Sequence, residues 1–423
     1  MEVKLDAFSQ ACTCGRTHKL FVKHVLIEAG AIHKMNVFLQ KSEINDCPVV
    51  ICDTNTYDAA GRHVFELLKN ENKDIIVLDA IGLHADEQGV EKVIESLNAK
   101  ATVLLAVGAG TIHDLTRYVA KEKNLPFIAI PTAASVDGFV STVAAMTIKG
   151  FKVTYPAVSP LAVFADTAIF MKAPYRLTAS GISDLLGKYT AILDWQVGHL
   201  LTDEYICERV VQIEMQAVQK VVDSLEAISE GSTEAYENLM YALILSGLAM
   251  QMIGNSRPAS GAEHHLSHLW EMHLINEQTD ALHGEKVGVA LGIVCDTYKK
   301  LLTIEEIDKH IVPYNGLPHT YLKENFKNLY TSIIEENTPD VLNEVQPALL
   351  IQRFEEVKKL VAKLPSGEAI RELLKKAHAK VTLDDIGLED SIIEKSIVLS
   401  PFVRQRLTLM RVLKLIDKIK CTR

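Results

Sequence analysis

An α/β domain followed by an all-α domain is the architecture that this 423-residue sequence indicates. At about 100–200 residues per domain, this length suggests two domains. Over roughly the first 170 residues, short apolar runs rich in β-branched residues alternate with helical stretches, as in a parallel sheet covered on both faces. After residue 172 the apolar residues recur with helical periodicity and strand-like runs nearly disappear.

The alternating part predicts a doubly wound sheet. We expect strands at residues 24–27, 49–52, 74–78, 102–107, 126–130 and 161–165, helices at 57–68, 88–97 and 112–120, and an inserted hairpin at 142–155.

The second part predicts helices alone. They are expected at residues 183–195, 205–228, 233–253, 262–272, 285–301, 349–364 and 367–379. Proline disfavours helix at the residue before it, so Pro174 places the boundary between domains 1–171 and 172–423. The apolar run 240–253 is shorter than the about 20 residues that cross a bilayer, and we interpret it as a buried core helix.

Composition and charge exclude several classes of protein. The apolar fraction of 48% and the charged fraction of 23% are those of a globular chain. The net charge of −10 argues against a nucleic-acid partner. The seven cysteines are odd in number and irregularly spaced, and the N-terminus does not resemble a signal peptide, so we expect a reducing cytoplasm.

Three predicted strand ends carry small or acidic residues, at the edge where open α/β sheets bind ligands. At residues 103–114 a strand leads through Gly108 and Gly110 into a helix, either to bind a diphosphate or as a tight turn without a ligand. Small hydroxyl residues follow the next strand, at 130–138. Asp53 either accepts hydrogen bonds from an adenosine ribose, which favours NAD, or caps the next helix.

Five of the 15 histidines lie within 20 residues: His264, His265, His268, His273 and His283. His264 and His268 are four residues apart and therefore share a helix face. With His283 they are compatible with a metal site, although purely structural histidines are the alternative. His265 and His273 are interpreted as polar or packing residues.

Asp184 lies in a segment, 181–189, that we expect to open a helix. It is either an acid of the first helical turn, stabilised by the helix dipole, or a carboxylate metal ligand. Spacing alone does not bring it near His264.

Together these segments resemble the iron-containing alcohol dehydrogenase superfamily, which includes dehydroquinate synthase, and most closely its bacterial glycerol-1-phosphate dehydrogenase branch. The matching segments are 108–114, 131–138, 183–188, 256–268 and 283–286, of which Ser-Arg-Pro-Ala-Ser-Gly-Ala-Glu-His at 256–264 is the most specific. The resemblance covers about residues 25–294. It departs at Ala109, where the family commonly has glycine; nucleotide binding is expected to be kept.

The resemblance implies a Rossmann-like nucleotide domain, a helical domain, and an active site with one divalent metal in the cleft between them. Asp184, His264 and His283 match the catalytic metal ligands. Asp137, Asp184 and His268 match substrate contacts, so His268 is not expected to be a ligand. The residues expected to contact NAD or NADP are Asp53, Gly108, Gly110, Thr111, Ile112, His113, Asp114, Thr132, Ala133, Ala134, Ser135 and Ser141.

The implied reaction is the reduction of dihydroxyacetone phosphate to sn-glycerol 1-phosphate, which serves phospholipid metabolism. The metal polarises the ketone and the cofactor carries the hydride. Arg257 is a candidate contact for the substrate phosphate, with an ion pair as the alternative. Mixed nitrogen and oxygen ligands suit Zn, Ni or Fe alike. We expect a homodimer or a higher homo-oligomer, and no membrane span.

Two other functions compete with this one. Glycerol dehydrogenase is the nearest rival, and dependence on the substrate phosphate distinguishes it. A non-catalytic nucleotide- or metal-binding module is the rival from another class; the intact ligand set argues against it, and an NADH absorbance assay decides between the two. Dehydroquinate synthase is disfavoured because its additional basic residues are not found at matching positions.

Cys12, Cys14 and His18 form a separate candidate site. They either bind a second, structural metal or lie in a reduced surface loop. The Cys-x-Cys spacing is shorter than the usual Cys-x₂₋₄-Cys of zinc sites, and no fourth ligand follows in the sequence.

Overall fold

The computed structural model describes residues 1–417, which form two compact units. The first unit comprises Met1–Leu185 and Gln212–Ser256, and the second comprises Leu186–Val211 and the chain from Arg257 onward. The first unit thus includes helices beyond residue 171, and the division into domains 1–171 and 172–423 stays a prediction. Cys421, one of the seven cysteines, lies outside the described residues.

The described strands form two sheets, and both lie in the first unit. The larger is a six-stranded parallel sheet with the order β1-β8-β5-β4-β2-β3, and the smaller is the antiparallel hairpin β6-β7. All six predicted strands and the predicted hairpin are confirmed. The strands are β1 (His24–Glu28), β2 (Pro48–Asp53), β3 (Asp74–Leu78), β4 (Val103–Gly108), β5 (Phe127–Pro131), β6 (Val143–Ile148), β7 (Phe151–Pro156) and β8 (Ala162–Asp166).

Burial explains why the strands were readable as apolar runs. Every residue of β4 and β5, in the middle of the sheet, is buried, as expected where helices cover both faces. The strand order reverses between β2 and β4, because the chain proceeds from β2 to one side and from β4 to the other. The carboxyl ends of β2 and β4 therefore flank the position where doubly wound sheets bind ligands.

Nineteen α-helices are present in residues 1–417. A π-helical segment, Tyr57–Gly61, joins α2 to α3, and this segment and α3 together occupy the predicted helix 57–68. The helices are α1 (Met35–Lys41), α2 (Thr54–Thr56), α3 (Arg62–Leu67), α4 (Glu87–Ser96), α5 (Gly110–Glu122), α6 (Thr167–Phe170), α7 (Tyr175–Leu186), α8 (Lys188–Thr202), α9 (Glu208–Val222), α10 (Leu225–Ser229), α11 (Thr233–Ile253), α12 (Ala262–Glu271), α13 (His283–Lys299), α14 (His319–Phe326), α15 (Tyr330–Glu336), α16 (Pro347–Lys363), α17 (Gly367–Lys376), α18 (Ile393–Leu399) and α19 (Leu409–Val412).

The helix α11 has the bounds expected from the sequence and is almost entirely buried, so its interpretation as a core helix is confirmed. Among the described residues, no helix combines the length and the apolar character needed to cross a membrane.

The segment around Asp184 differs from the expectation. The predicted helix 183–195 is two helices, α7 and α8, with Gly187 between them. α7 begins at Tyr175, directly after Pro174, whose carbonyl accepts a hydrogen bond from Leu177 N–H. Because the helix begins earlier, Asp184 lies in its last turn, and the alternative of a first-turn acid stabilised by the helix dipole is wrong.

The second unit is built around its own apolar core. Trp270 of α12, Tyr298 of α13 and Phe354 of α16 belong to one buried cluster. The fully buried Asp194 of α8 ties this core together, because its carboxylate accepts hydrogen bonds from the Tyr298 hydroxyl and from the backbone N–H groups of Ala262 and Leu409, each at 2.8 Å. Burial raises the pKa of Asp194 to about 7.

A substitution at Gly181 of α7 tests how closely this helix packs on the loop after β5. An alanine Cβ there would lie 2.0 Å from the carbonyl oxygen of Ala134, so we expect Gly181→Ala to destabilise the protein by about 3 kcal/mol. At the matched helical glycine Gly292, a Cβ would meet its nearest atoms at 3.6–3.9 Å, and Gly292→Ala should stabilise by about 0.5–1 kcal/mol. Urea denaturation measures both. Equal effects of the two substitutions would contradict the packing described here.

Candidate active site

The loop between β4 and α5 offers backbone N–H groups to a ligand. Gly108 ends β4, and a Cβ there would lie 2.6 Å from the Cβ of Ile112, so the first turn of α5 folds back over this glycine. Ala109 has extended backbone angles that any residue adopts, so the methyl group in place of glycine causes no backbone strain. The first N–H groups of α5 have no partner within the helix and can bind an anion.

Two side chains near the start of α5 are engaged within the protein. The imidazole of His113 is buried, its Nδ1 lies 2.9 Å from Ala109 O, and burial lowers its pKa to about 3. The carboxylate of Asp114 pairs with the buried Arg117 at 2.6 Å. Nucleotide contacts by Thr111, His113 and Asp114 stay predictions.

Asp53 follows β2, on the other side of the strand-order reversal. Its carboxylate accepts a hydrogen bond from Thr56 N–H at 2.8 Å, and the Thr56 hydroxyl accepts one from Asp53 N–H at 2.9 Å. This is a reciprocal capping box at the start of α2, so the capping alternative is confirmed. The ribose contact stays a prediction.

The loop after β5 is buried. Thr132, Ala133, Ala134 and Ser135 are each at most 5% exposed. Among the described residues, the Ser135 hydroxyl has no hydrogen-bond partner, whereas the Ser141 hydroxyl accepts a hydrogen bond from Val143 N–H at 3.1 Å. An unpartnered buried hydroxyl is compatible with a bound ligand, and nucleotide contacts by Thr132, Ser135 and Ser141 stay predictions.

Buried carboxylates lie together in the first unit. The backbone N–H of Asp137 donates to Asp184 Oδ2 at 3.1 Å. The carboxylate of Asp137 lies 2.9 Å from the Ser246 hydroxyl, which is itself 3.1 Å from the fully buried Glu214. The structure thus brings together two residues that the sequence singled out, Asp137 and Asp184, and adds Ser246 and Glu214.

Three histidines of the second unit form a cluster. His264 and His268 lie one turn apart on α12, and His283 is the first residue of α13. The ring centroids are 6.0 Å apart for His264 and His268, 5.3 Å for His264 and His283, and 5.6 Å for His268 and His283. The i, i+4 prediction that His264 and His268 share a face is confirmed, and His283 joins them.

A carboxylate orients each of the two proposed metal-binding imidazoles. His264 Nδ1 lies 2.7 Å from Glu263 Oε1, and His283 Nδ1 lies 2.7 Å from Glu271 Oε1. Glu263 is held in turn by Gly261 N–H, at 2.6 Å, and by the Thr190 hydroxyl. When Nδ1 of an imidazole carries the proton, Nε2 carries the lone pair that a metal requires, and such carboxylate–histidine pairs are typical of metal sites. The donor set therefore fits a divalent metal.

His268 differs from the other two imidazoles. Among the described residues its buried Nδ1 has no hydrogen-bond partner. Burial lowers the pKa of His268 well below its usual value, and the charge of Arg404 lowers it further. A neutral imidazole with a polar atom left unpaired fits the predicted substrate contact. Of the remaining histidines, His265 is fully buried and His273 is exposed.

Arg257 makes the ion pair that was the alternative to a phosphate contact. Its guanidinium is buried, pairs with Glu204 at 2.7 Å, and donates to the carbonyl oxygens of Asp194 and Leu407 at 3.0 and 2.7 Å. A phosphate contact by Arg257 stays a prediction, and these three partners already engage much of its donor capacity.

Sequence reasoning missed Glu263, Glu271 and Arg404. Glu263 directly precedes a predicted ligand, and Glu271 follows His268 by three residues, so a search for carboxylates beside candidate ligands would have found both. Arg404 acts on His268 from a distant part of the chain, and no local pattern indicates it.

Comparisons with known proteins identify the family of the chain. A family model described as iron-containing alcohol dehydrogenase matches residues 26–174. The chain is 32% identical over 92% of its length to a protein of Geobacillus thermodenitrificans named glycerol-1-phosphate dehydrogenase (NAD(P)+), of which it covers 92%. It is 35% identical to a protein of the same name from Halalkalibacterium halodurans, covering 94% of each chain.

A solved structure shows the same fold. The chain matches the NADH-dependent butanol dehydrogenase A of Thermotoga maritima with a TM-score of 0.63 and 16% identity, covering 95% of this chain and 94% of that one. The predicted combination of a parallel α/β sheet with a largely helical C-terminal region is thereby confirmed.

The carboxylate–imidazole pairs can be tested through metal affinity. Glu263→Gln and Glu271→Gln keep the side-chain volume but replace the carboxylate, and each should weaken binding of Zn²⁺ about 10–100-fold. Competition with a chromogenic chelator measures the dissociation constant, and circular dichroism checks folding. Glu372→Gln, on an exposed part of α17, is the control. Unchanged affinity in both variants would show that the carboxylates do not support a metal.

Proposed function

Because the chain belongs to the iron-containing alcohol dehydrogenase family and is 32–35% identical to glycerol-1-phosphate dehydrogenases over more than nine tenths of its length, we propose that it reduces dihydroxyacetone phosphate to sn-glycerol 1-phosphate with NADH or NADPH. The observation that carries the proposal is the cluster of His264, His268 and His283, in which two imidazoles are each paired with a carboxylate.

The metal ligands are Asp184, His264 and His283. The two imidazoles present Nε2, since Glu263 and Glu271 occupy the Nδ1 atoms. Asp184 adds a carboxylate, on the basis of the family resemblance of residues 183–188. A divalent metal, when bound, polarises the carbonyl group of the substrate and favours the alkoxide. The ligand set accepts Zn, Ni or Fe, and the metal's identity is left to elemental analysis.

The nicotinamide cofactor binds at the carboxyl ends of β2, β4 and β5. The first N–H groups of α5 bind its diphosphate, with Gly108 and Gly110 allowing close approach. Asp53 accepts from the adenosine ribose while it continues to cap α2, because a carboxylate has two oxygens with several acceptor positions. The Ser135 hydroxyl gains a hydrogen bond that it lacks among the described residues.

Two further side chains, His268 and Asp137, orient the substrate. His268 is neutral, because burial and Arg404 lower its pKa, so it can donate one hydrogen bond to a substrate oxygen. Asp137 is fixed by its hydrogen bond from Ser246 and can accept a substrate hydroxyl. The cofactor supplies the hydride, and these side chains determine which face of the carbonyl carbon receives it.

Substrate kinetics test the proposal most directly. With metal-loaded protein, NADH oxidation should be faster with dihydroxyacetone phosphate than with dihydroxyacetone, by at least about 100-fold in kcat/KM, because the analogue lacks the phosphate whose binding stabilises the transition state. The rate is measured once with NADH and once with NADPH, each followed by its absorbance, so that the two cofactors are compared. The product should not serve as substrate for an sn-glycerol-3-phosphate dehydrogenase.

Oxidation of free glycerol, the activity of the rival glycerol dehydrogenase, is measured as the control in the same assay. Rapid oxidation of free glycerol with no reduction of dihydroxyacetone phosphate would refute the proposal and favour glycerol dehydrogenase. Absence of NADH oxidation with every ketone would favour a non-catalytic nucleotide-binding module.

A further inference from the structure

The N-terminal segment 11–18 takes no part in the proposed reaction, yet it contains three residues of types that bind metals. Cys12 and Cys14 are half-buried thiols and His18 is only 2% exposed. The surface-loop alternative therefore does not describe His18, whose imidazole is buried.

The three side chains converge. Cys14 Sγ lies 3.4 Å from His18 Nε2, and one ligand atom from each of Cys12, Cys14 and His18 lies within 4.8 Å of the others. In a tetrahedral zinc site with bonds of about 2.3 Å to sulfur and about 2.0 Å to nitrogen, sulfur and nitrogen ligands are about 3.6 Å apart. The observed separation thus matches ligands that share one ion.

The backbone explains how so short a segment brings them together. Ala11 and Thr17 form an antiparallel bridge, which closes the intervening residues into a loop. Gly15 has a φ of +81°, which favours glycine, and its N–H donates to Cys12 O at 3.1 Å. The tight turn at Gly15 leads the chain back, so that His18 faces Cys14 despite the short Cys-x-Cys spacing.

His18 is oriented as metal-binding histidines are. Its Nδ1 lies 2.8 Å from the carbonyl oxygen of Met252, near the end of α11. A carbonyl oxygen only accepts, so the proton is on Nδ1 and the lone pair is on Nε2, the nitrogen that faces Cys14. A backbone carbonyl behind a ligating imidazole is a recurrent outer-shell partner. The same end of α11 also holds the segment through Gln251, whose side-chain oxygen accepts from Phe21 N–H at 2.7 Å.

We propose that Cys12, Cys14 and His18 are three of the four ligands of a structural zinc site that fastens the N-terminal segment to the end of α11. Thiolate and imidazole ligands select zinc over magnesium or calcium. The site stabilises the first unit and does not depend on the proposed reaction, because none of its residues belongs to the catalytic set.

Cobalt substitution tests this site separately from the catalytic one. Co²⁺ bound by thiolates gives a charge-transfer band in the near ultraviolet, whereas the aspartate and histidines of the proposed catalytic site contribute no thiolate. Full-length protein, stripped of metal and titrated with Co²⁺, should show this band. It should be lost in the double variant Cys12→Ser/Cys14→Ser and strongly reduced in His18→Ala.

The controls separate loss of the site from loss of the fold. Cys47→Ser removes a buried thiol elsewhere in the first unit and should keep the band in full. Circular dichroism should show that the double variant folds, and Zn²⁺ should slow the reaction of Cys12 and Cys14 with a thiol reagent in the wild type. A Co²⁺ complex without the band, a band that persists in the double variant, or a Cys12–Cys14 disulfide in protein purified with reductant would each overturn the proposal.

Discussion

The hydrogen bonds from His264 to Glu263 and from His283 to Glu271 are the interactions on which the proposed chemistry depends. Each is 2.7 Å long and places the imidazole proton on the nitrogen that faces the carboxylate. Without these pairs, either imidazole could rotate or adopt the other tautomer, and neither would present a defined lone pair. The remaining contacts of Glu263, to Gly261 and Thr190, hold the carboxylate itself in place.

The first unit places backbone N–H donors and small residues at one edge of a parallel sheet. Burial of β4 and β5 fixes the strands, and the reversal of strand order between β2 and β4 leaves an opening at their carboxyl ends. Asp53 and Gly108 lie at that edge because their strands end there. The location of the predicted nucleotide residues thus follows from sheet topology and not from side-chain chemistry.

The structure could be predicted from the sequence where the local pattern of apolar residues agrees with burial. The parallel strands were predicted to within one residue, because a strand buried on both faces is an uninterrupted apolar run. The shared face of His264 and His268 followed from helical spacing. The break at Gly187 was missed because helical periodicity continues through it. The position of Asp184 in its helix was wrong because α7 begins at Tyr175, eight residues before the expected start.

Contacts between residues that are far apart in the sequence could not be predicted from local patterns. Glu271 meets His283 only because α12 and α13 pack together, and Asp137 meets Ser246 only because α11 lies beside the loop after β5. The capping of α2 by Asp53 was among the alternatives because it depends on neighbours three residues apart. Both Cys14 and His18 were singled out, but the orienting carbonyl of Met252 is remote in sequence.

The central claim, that Asp184, His264 and His283 hold a metal needed for dehydrogenase activity, is tested most directly by measuring bound metal and turnover together in Asp184→Asn and His264→Ala. Loss of a ligand should lower the metal content by one ion per chain and reduce NADH oxidation with dihydroxyacetone phosphate to background, whereas His84→Ala, at an exposed histidine, should leave both unchanged. Normal turnover in a variant that has lost its metal would contradict the claim.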